Sequence, residues 1–382
     1  MSERASRRGR RDVGAVPGAA LLPPAALPAL LSLLMEEYDV IAPTYSPEGR
    51  SIVLERISSP DQVATGYRDY QRPGHYTLQK SGDGRLFGYA NGPHSPKSYL
   101  HPGRLTLFIG EWTTDGFSLS PRAEPERPYA FFGIHPCDCF GILVLDRTFL
   151  LSGNVDARYR ARREGAFLAV INCTEPGDLC FCASMGTGPR VEEGYDLRLT
   201  ELDAGFLMEP GTDRGASTLA RLPARAATSG EMQEADRLIR DAVPRMGRTL
   251  NTHNLPQILR SELGHPYWDT MKDWCVGCTN CTMVCPTCFC NDLRDYVDLT
   301  LRKVRRERVW DSCFTRQFTE MHGYNPRDEL KHRYRHWCVH KLSYWVEQYG
   351  VFGCVGCGRC IAWCPVGIDI TQVATTVRGE EP

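Results

Sequence analysis

Residues 275–286 read C-V-G-C-T-N-C-T-M-V-C-P, and residues 354–365 read C-V-G-C-G-R-C-I-A-W-C-P. Each is C-x2-C-x2-C-x3-C-P. Three thiolates at steps of three wrap a loop around one face of a cubane [4Fe–4S] cluster, while the fourth sits on a following helical turn and points elsewhere. Pro286 and Pro365 then remove a backbone donor and turn the chain away. A zinc ribbon is the competing reading, but it uses two separated C-x2-C knuckles, not three cysteines in register followed by C-P. Two copies of the longer motif favour iron.

When two such motifs share a chain, the fourth cysteine of each ligates the other motif's cluster. The pattern therefore predicts one [4Fe–4S] cluster on Cys275, Cys278, Cys281 and Cys364, and a second on Cys354, Cys357, Cys360 and Cys285. Gly277, Gly356 and Gly358 let the backbone approach inorganic sulfur, where N–H donors tune the potential.

The chain has 17 cysteines in 382 residues, and none precedes Cys137. An odd number rules out complete internal pairing, and a chain this long is not a small disulfide scaffold. Five cysteines fall between Cys137 and Cys182, and the other twelve between Cys275 and Cys364. Such local grouping of free thiols fits a reducing compartment and metal ligation. The first group follows two expected strands, Tyr129–Ile134 and Ala166–Ile171, on either side of a helix at Phe140–Leu150. Open α/β sheets place ligands past the carboxyl ends of their strands. A third metal centre is expected there, a [4Fe–4S] cluster on Cys137, Cys173, Cys180 and Cys182, with Cys139 or Asp138 as alternatives. The bland reading is a set of buried, inert thiols. Cys288, Cys290, Cys313 and Cys338 are left over, to pack near the clusters or, for some of them, to hold a further cofactor.

Lys+Arg 45 against Asp+Glu 46 gives a net charge of -1, which offers no footprint for nucleic acid or an anionic membrane. The Arg-rich start at residues 1–12 and the apolar stretch 15–34 outline an export signal, and Arg7-Arg8 and Arg10-Arg11 resemble a twin-arginine motif. Pro17, Pro23, Pro24 and Pro28 interrupt that stretch, and no small-x-small site follows it. A disordered basic tail over 1–27 is expected instead, then a helix at about 28–37 and a strand from Asp39. No run of 18 apolar residues suggests a membrane span. Further strands are expected at Leu105–Ile109 and in a hairpin at 197–209, a loop at 210–230 and a helix at Glu231–Val243.

From about residue 250 the composition turns to helix formers, aromatics and cysteine-rich loops. The expected fold is an α+β or α/β domain over 28–248, followed by an α-helical dicluster ferredoxin-like domain over 249–382. Bases such as Arg302, Arg306, Arg327 and Lys341 between the two motifs read mostly as a solvated helical face. Some could offset the negative charge of cluster thiolates. His332, His336 and His340 share a helix face at a spacing that can bind metal, with a surface role as the plainer reading. Neither G-x-G-x-x-G after a strand nor G-x4-G-K-[ST] occurs, so no dinucleotide or ATP site is indicated. C-x2-C-H for c-type haem is absent too. No catalytic residue is assigned.

F-F-G-I-H-P-C-D-C-F-G-I, V-I-N-C-T-E-P-G-D-L-C-F-C-A-S-M-G-T-G-P, C-P-T-C-F-C and W-D-S-C-F-T together resemble the beta subunits of soluble cytoplasmic [NiFe] hydrogenases, or sulfhydrogenases, and the electron-transfer subunit of anaerobic sulfite reductase. The likeness runs from about residue 28 to 372. The basic N-terminus and Cys338 lie outside it. It implies a non-catalytic, cytoplasmic electron-transfer subunit in a heteromeric complex. Its partners would be a flavin- and NAD(P)-binding subunit, together with either the [NiFe] hydrogenase small and large subunits or a sirohaem sulfite reductase subunit. A zinc-bound scaffold is the reading of another class.

Overall fold

The computed structural model describes residues 18–90, 92–121 and 127–381. Its largest element is an eight-stranded sheet. Four central strands, Asp39–Ser46, Tyr129–Ile134, Phe167–Ile171 and Leu197–Leu202, run parallel to one another. Antiparallel strands flank them: Ser51–Arg56 at one edge, then Gly205–Pro210, Ala20–Leu22 and Arg225–Ala226 towards the other.

Strand periodicity explains why the sheet is covered on both faces. Val40, Ala42, Ala130, Phe132, Phe167, Ala169 and Ile171 pack with Leu27, Leu30, Leu31 and Leu34 of the helix Leu27–Glu37. The alternate residues Ile41, Phe131, Leu168 and Val170, together with Ile134 beyond a register shift at Gly133, pack with Ile142, Leu145 and Phe149 of the helix Pro136–Phe149 and with Tyr159. Side chains two apart share a face, so nearly continuous apolar strands feed two cores.

Two local expectations change. Ala20–Leu22 joins the main sheet, so ordered structure begins inside the segment expected to be a tail; residues 1–17 lie outside the described residues. The stretch expected as a loop at 210–230 contains the helix Asp213–Ala220, started by Thr212, whose hydroxyl accepts from the Gly215 N–H.

The segment between the cysteine motifs also departs from helical expectation. Asn291–Val297 and Lys303–Trp310 form a β-hairpin, and its second strand pairs with Arg104–Thr113, which pairs in turn with Gly116–Pro121. Cross-strand charges explain how so basic a stretch forms a sheet. Arg306 grips Asp295 through two bonds, at 2.6 and 2.5 Å, Lys303 meets Glu111 at 3.0 Å, and Arg104 meets the buried Glu307 at 2.7 Å. Helices Leu255–Ser261, Tyr267–Trp274, Leu330–Val339 and Ile370–Val377 pack around the motifs. Among the described residues, no helix is long and apolar enough to cross a membrane.

Candidate iron–sulfur centres

All 17 cysteines are free thiols. Cys275, Cys278, Cys281 and Cys364 line one pocket, closed on its inner side by Phe314, Tyr334, Trp337 and Ile368. Cys278 is exposed, and its neighbours Trp274 and Val276 are 57% and 62% exposed, so this set lies at the surface. The Ile368 N–H points at Cys364 Sγ at 3.3 Å.

Cys354, Cys357, Cys360 and Cys285 face one another deeper in the chain. Burial, and then the neighbouring thiols of the set, raise the Cys360 thiol well above its ordinary pKa. Burial pushes Cys354 up to about 12. A lone thiolate is disfavoured in such a place; a cluster whose iron shares the charge removes that objection. The chain adds a cation of its own. Lys341 Nζ donates to Cys285 Sγ at 3.1 Å, Thr287 Oγ1 at 3.0 Å and the Gly353 carbonyl at 3.1 Å. Burial opposes its charge, but Cys285, Cys288 and Cys354 outweigh burial and hold it protonated. Lys97, also buried, donates to the Thr282 and Met283 carbonyls and lies 3.9 Å from the Trp310 ring centroid.

The loop around Cys354 is seated directly on the other half of the chain. Phe181 N–H donates to the Gly356 carbonyl at 2.8 Å, and Thr187 Oγ1 to the Val355 carbonyl at 2.7 Å. Gly358 has φ +74, and a Cβ there would lie 2.6 Å from the Leu179 carbonyl oxygen. Its counterpart in the first motif is Thr279, which keeps the same left-handed backbone at φ 69. Only the second loop needs glycine for close approach.

Cys137, Cys173, Cys180 and Cys182 line a small cavity with His135, Pro136, Pro176, Pro189 and Met246. The fold brings them together because Tyr129–Ile134 and Phe167–Ile171 are adjacent parallel strands. Cys137 opens the helix after the first, and Cys173 follows the second. All four are buried deeply enough to raise their thiol pKa, Cys182 to about 12. The alternatives point elsewhere. Cys139 Sγ faces the Glu193 and Gly194 carbonyls at 3.6 Å. Asp138 accepts two bonds from Arg359, at 2.7 and 2.8 Å, with both side chains almost fully buried.

The three sets form a series. Cys360 lines the back of the first pocket while belonging to the second set. Cys180 Sγ lies 4.0 Å from the Cys357 carbonyl oxygen, and Cys182 and Cys357 are close enough for Cys357 to raise the Cys182 pKa. Cys338 packs in the apolar core beside Trp337 and Leu342. The three histidines do not converge: His336 and His340 stack at 5.4 Å, while His332 approaches Asp328 and Glu329. Sequence reasoning missed Arg359 and Lys97. Arg359 could have been suspected, being a large cation set between two motif cysteines; nothing local marks Lys97.

Fold and site define a protein with a two-cluster iron–sulfur unit packed against a doubly covered α/β sheet. The family model for a 4Fe-4S dicluster domain matches residues 274–368. Sulfhydrogenase 2 subunit beta of Pyrococcus furiosus is 32% identical over 260 residues, which is 67% of this chain and 75% of that subunit. The chain belongs to the sulfhydrogenase beta-subunit family, and [4Fe–4S] clusters are its cofactors. No solved structure matches it.

Proposed function

We propose that this chain is the electron-relaying, non-catalytic subunit of a cytoplasmic NAD(P)-linked [NiFe] hydrogenase. Its partners would be the hydrogenase small and large subunits and a flavin- and NAD(P)-binding subunit. The observation that carries the reading is the contiguous series of three cysteine sets, of which only the first has a cysteine exposed at the surface. [4Fe–4S] clusters supply one-electron carriers when bound. The chain holds them: four thiolates per set, Lys341 and backbone N–H groups to offset charge, and apolar walls of Phe314, Trp337 and Trp345 to exclude water. Cys278 and Val276 present the first set to a partner, while the contacts of Phe181 and Thr187 keep the second and third close together.

In this reading Cys137, Cys173, Cys180 and Cys182 hold a third cluster. The anaerobically purified chain is then expected to carry about twelve iron atoms, and Cys137→Ser about eight. About eight in both would refute the third centre. Co-purification tests the partners: nickel and flavin in the complex support the hydrogenase, and sirohaem would assign the chain to an anaerobic sulfite reductase. Zinc without iron or sulfide would leave only a scaffold.

A further inference from the structure

The hairpin strands Asn291–Val297 and Lys303–Trp310 form a four-stranded sheet with Arg104–Thr113 and Gly116–Pro121, and its two faces differ in kind. Cross-strand partners fix which residues share a face. Trp112 lies opposite Phe117, Gly110 opposite both Leu119 and Val304, and Val304 opposite Val297. Side chains two apart add Leu293 and Asp295 on one hairpin strand and Arg306 on the other. The reverse face is polar: Lys303 meets Glu111 at 3.0 Å, and Arg305 lies 5.2 Å from the Tyr296 ring centroid. Antiparallel sheets commonly turn the apolar face to a core and the polar face to water. Here the apolar face is uncovered, with Trp112, Phe117, Leu119, Leu293 and Val297 between 49% and 59% exposed. The Trp112 N–H donates to the Arg302 carbonyl at 2.8 Å, so the hairpin turn, with Leu299 and Leu301 still more exposed, extends that end of the sheet. Together these side chains present on the order of 800 Å², more than a usual surface patch and close to what one partner gives a standard interface. The face has no groove at its glycine. A Cβ on Gly110 would lie 2.5 Å from Phe117 and 2.8 Å from Val304, so those side chains already fill the space. Arg306 and Asp295 are paired with each other, and the guanidinium lies 5.5 Å from the Phe108 ring centroid.

We propose that this face packs against the same face of a second copy of the chain, related to the first by a two-fold axis. Sheets stacked face to face interdigitate their side chains at a spacing of ~10 Å. A flat apolar surface suits that packing better than it suits an inserted peptide or a small ligand. Because Arg306 and Asp295 neutralise each other within the face, a copy meets it without like-charge repulsion, and no unbalanced charge is left there to select a different partner. The exposed area is sufficient for a stable pair. Such a dimer does not depend on which subunits exchange electrons with the clusters, so it goes beyond the relay reading.

The test uses the full cluster-loaded chain, purified anaerobically, in sedimentation velocity across a concentration series. A shift from one chain to two is expected as concentration rises, and hydrogen exchange should slow with it at residues 104–121 and 291–310. Leu119→Lys and Leu293→Lys place a charge on two different strands of the face at exposed positions. Each is expected to weaken association at least about tenfold, with iron content and far-ultraviolet circular dichroism unchanged. Met232→Lys, exposed on the helix Ser229–Ala242 outside this sheet, should leave association as it is. A chain that stays single at every concentration would overturn the proposal, and so would a pair that persists in both sheet variants. Loss of a co-purifying subunit from those variants, with the chain alone never pairing, would assign the face to that subunit instead.

Discussion

The Asp138–Arg359 pair gives the sharpest energetic test of how the two halves of this chain depend on one another. Arg359 stands between the motif cysteines Cys357 and Cys360, and Asp138 between Cys137 and Cys139. Their side chains are 2% and 3% exposed. The guanidinium reaches across the divide with two bonds to Asp138, one to the Gly92 carbonyl at 2.8 Å and one to the His94 carbonyl at 3.0 Å. Asp138→Ala leaves the cation buried against those neutral carbonyls without its carboxylate. Breaking a buried pair from one side costs about 3–5 kcal/mol, because the remaining charge stays desolvated. Replacing both partners with apolar groups of similar size leaves no such charge, so Asp138→Leu/Arg359→Met is expected to lose much less than Asp138→Ala. The assay is anaerobic urea unfolding of the cluster-loaded protein followed by near-ultraviolet circular dichroism, comparing Asp138→Ala, Arg359→Met and the double variant. A loss below about 1 kcal/mol in Asp138→Ala, or a double variant as unstable as the single, would refute the reasoning that this is a buried charge pair at all.

His101 is expected to dominate part of the acid response. Its ring packs 4.9 Å from Phe149, neither ring nitrogen has a hydrogen-bond partner, and burial pushes its pKa down to about 3. The unfolded chain binds a proton that the folded chain refuses, so stability falls by ~1.4 kcal/mol per pH unit from about 6.5 down to that value. His101→Phe should flatten the slope of urea-derived stability against pH in that window; an unchanged slope would show that His101 is not buried neutral. Gly358→Ala should lower iron content and stability, because its Cβ would meet the Leu179 carbonyl at 2.6 Å on a left-handed backbone. Thr279→Gly, at the matching position, should keep its iron and relieve about 1–2 kcal/mol of left-handed strain, less the entropy glycine loses. Lys341→Met removes the cation 3.1 Å from Cys285 Sγ and should make the second set's cluster harder to reduce. A redox titration followed by EPR showing an unmoved potential would mean that Lys341 serves packing alone.

The eight motif cysteines were legible in the sequence because their chemistry is local. A loop of nearly fixed conformation presents thiols at steps of three, and the proline after the fourth ends the turn, so the spacing marks the two motifs as ferredoxin-type, in keeping with the dicluster family model over 274–368. The Tyr129–Ile134 strand was legible for a similar reason: a short, fully apolar run bounded by a charged, proline-containing stretch and a helix start has few other uses. The 291–310 hairpin was not legible. Its basic residues favour a helix when read alone, and it becomes a sheet because its second strand pairs with Arg104–Thr113, a strand far earlier in the chain that brings Glu111 to Lys303 and Arg104 to Glu307.

Only the tertiary structure decided the rest. Parallel pairing of two distant strands brings Cys137 to Cys173, Cys180 and Cys182 and turns Cys139 and Asp138 away from them. The seating of the second motif on residues 179–187 makes Gly358 a steric necessity where Thr279 is tolerated. Burial turns Lys341 and Arg359, two ordinary bases in the sequence, into the cations that face thiolates and Asp138. Coordination follows short-range covalent geometry and can be read along the chain. Desolvation and long-range pairing depend on what lies opposite in space, and one dimension does not carry that.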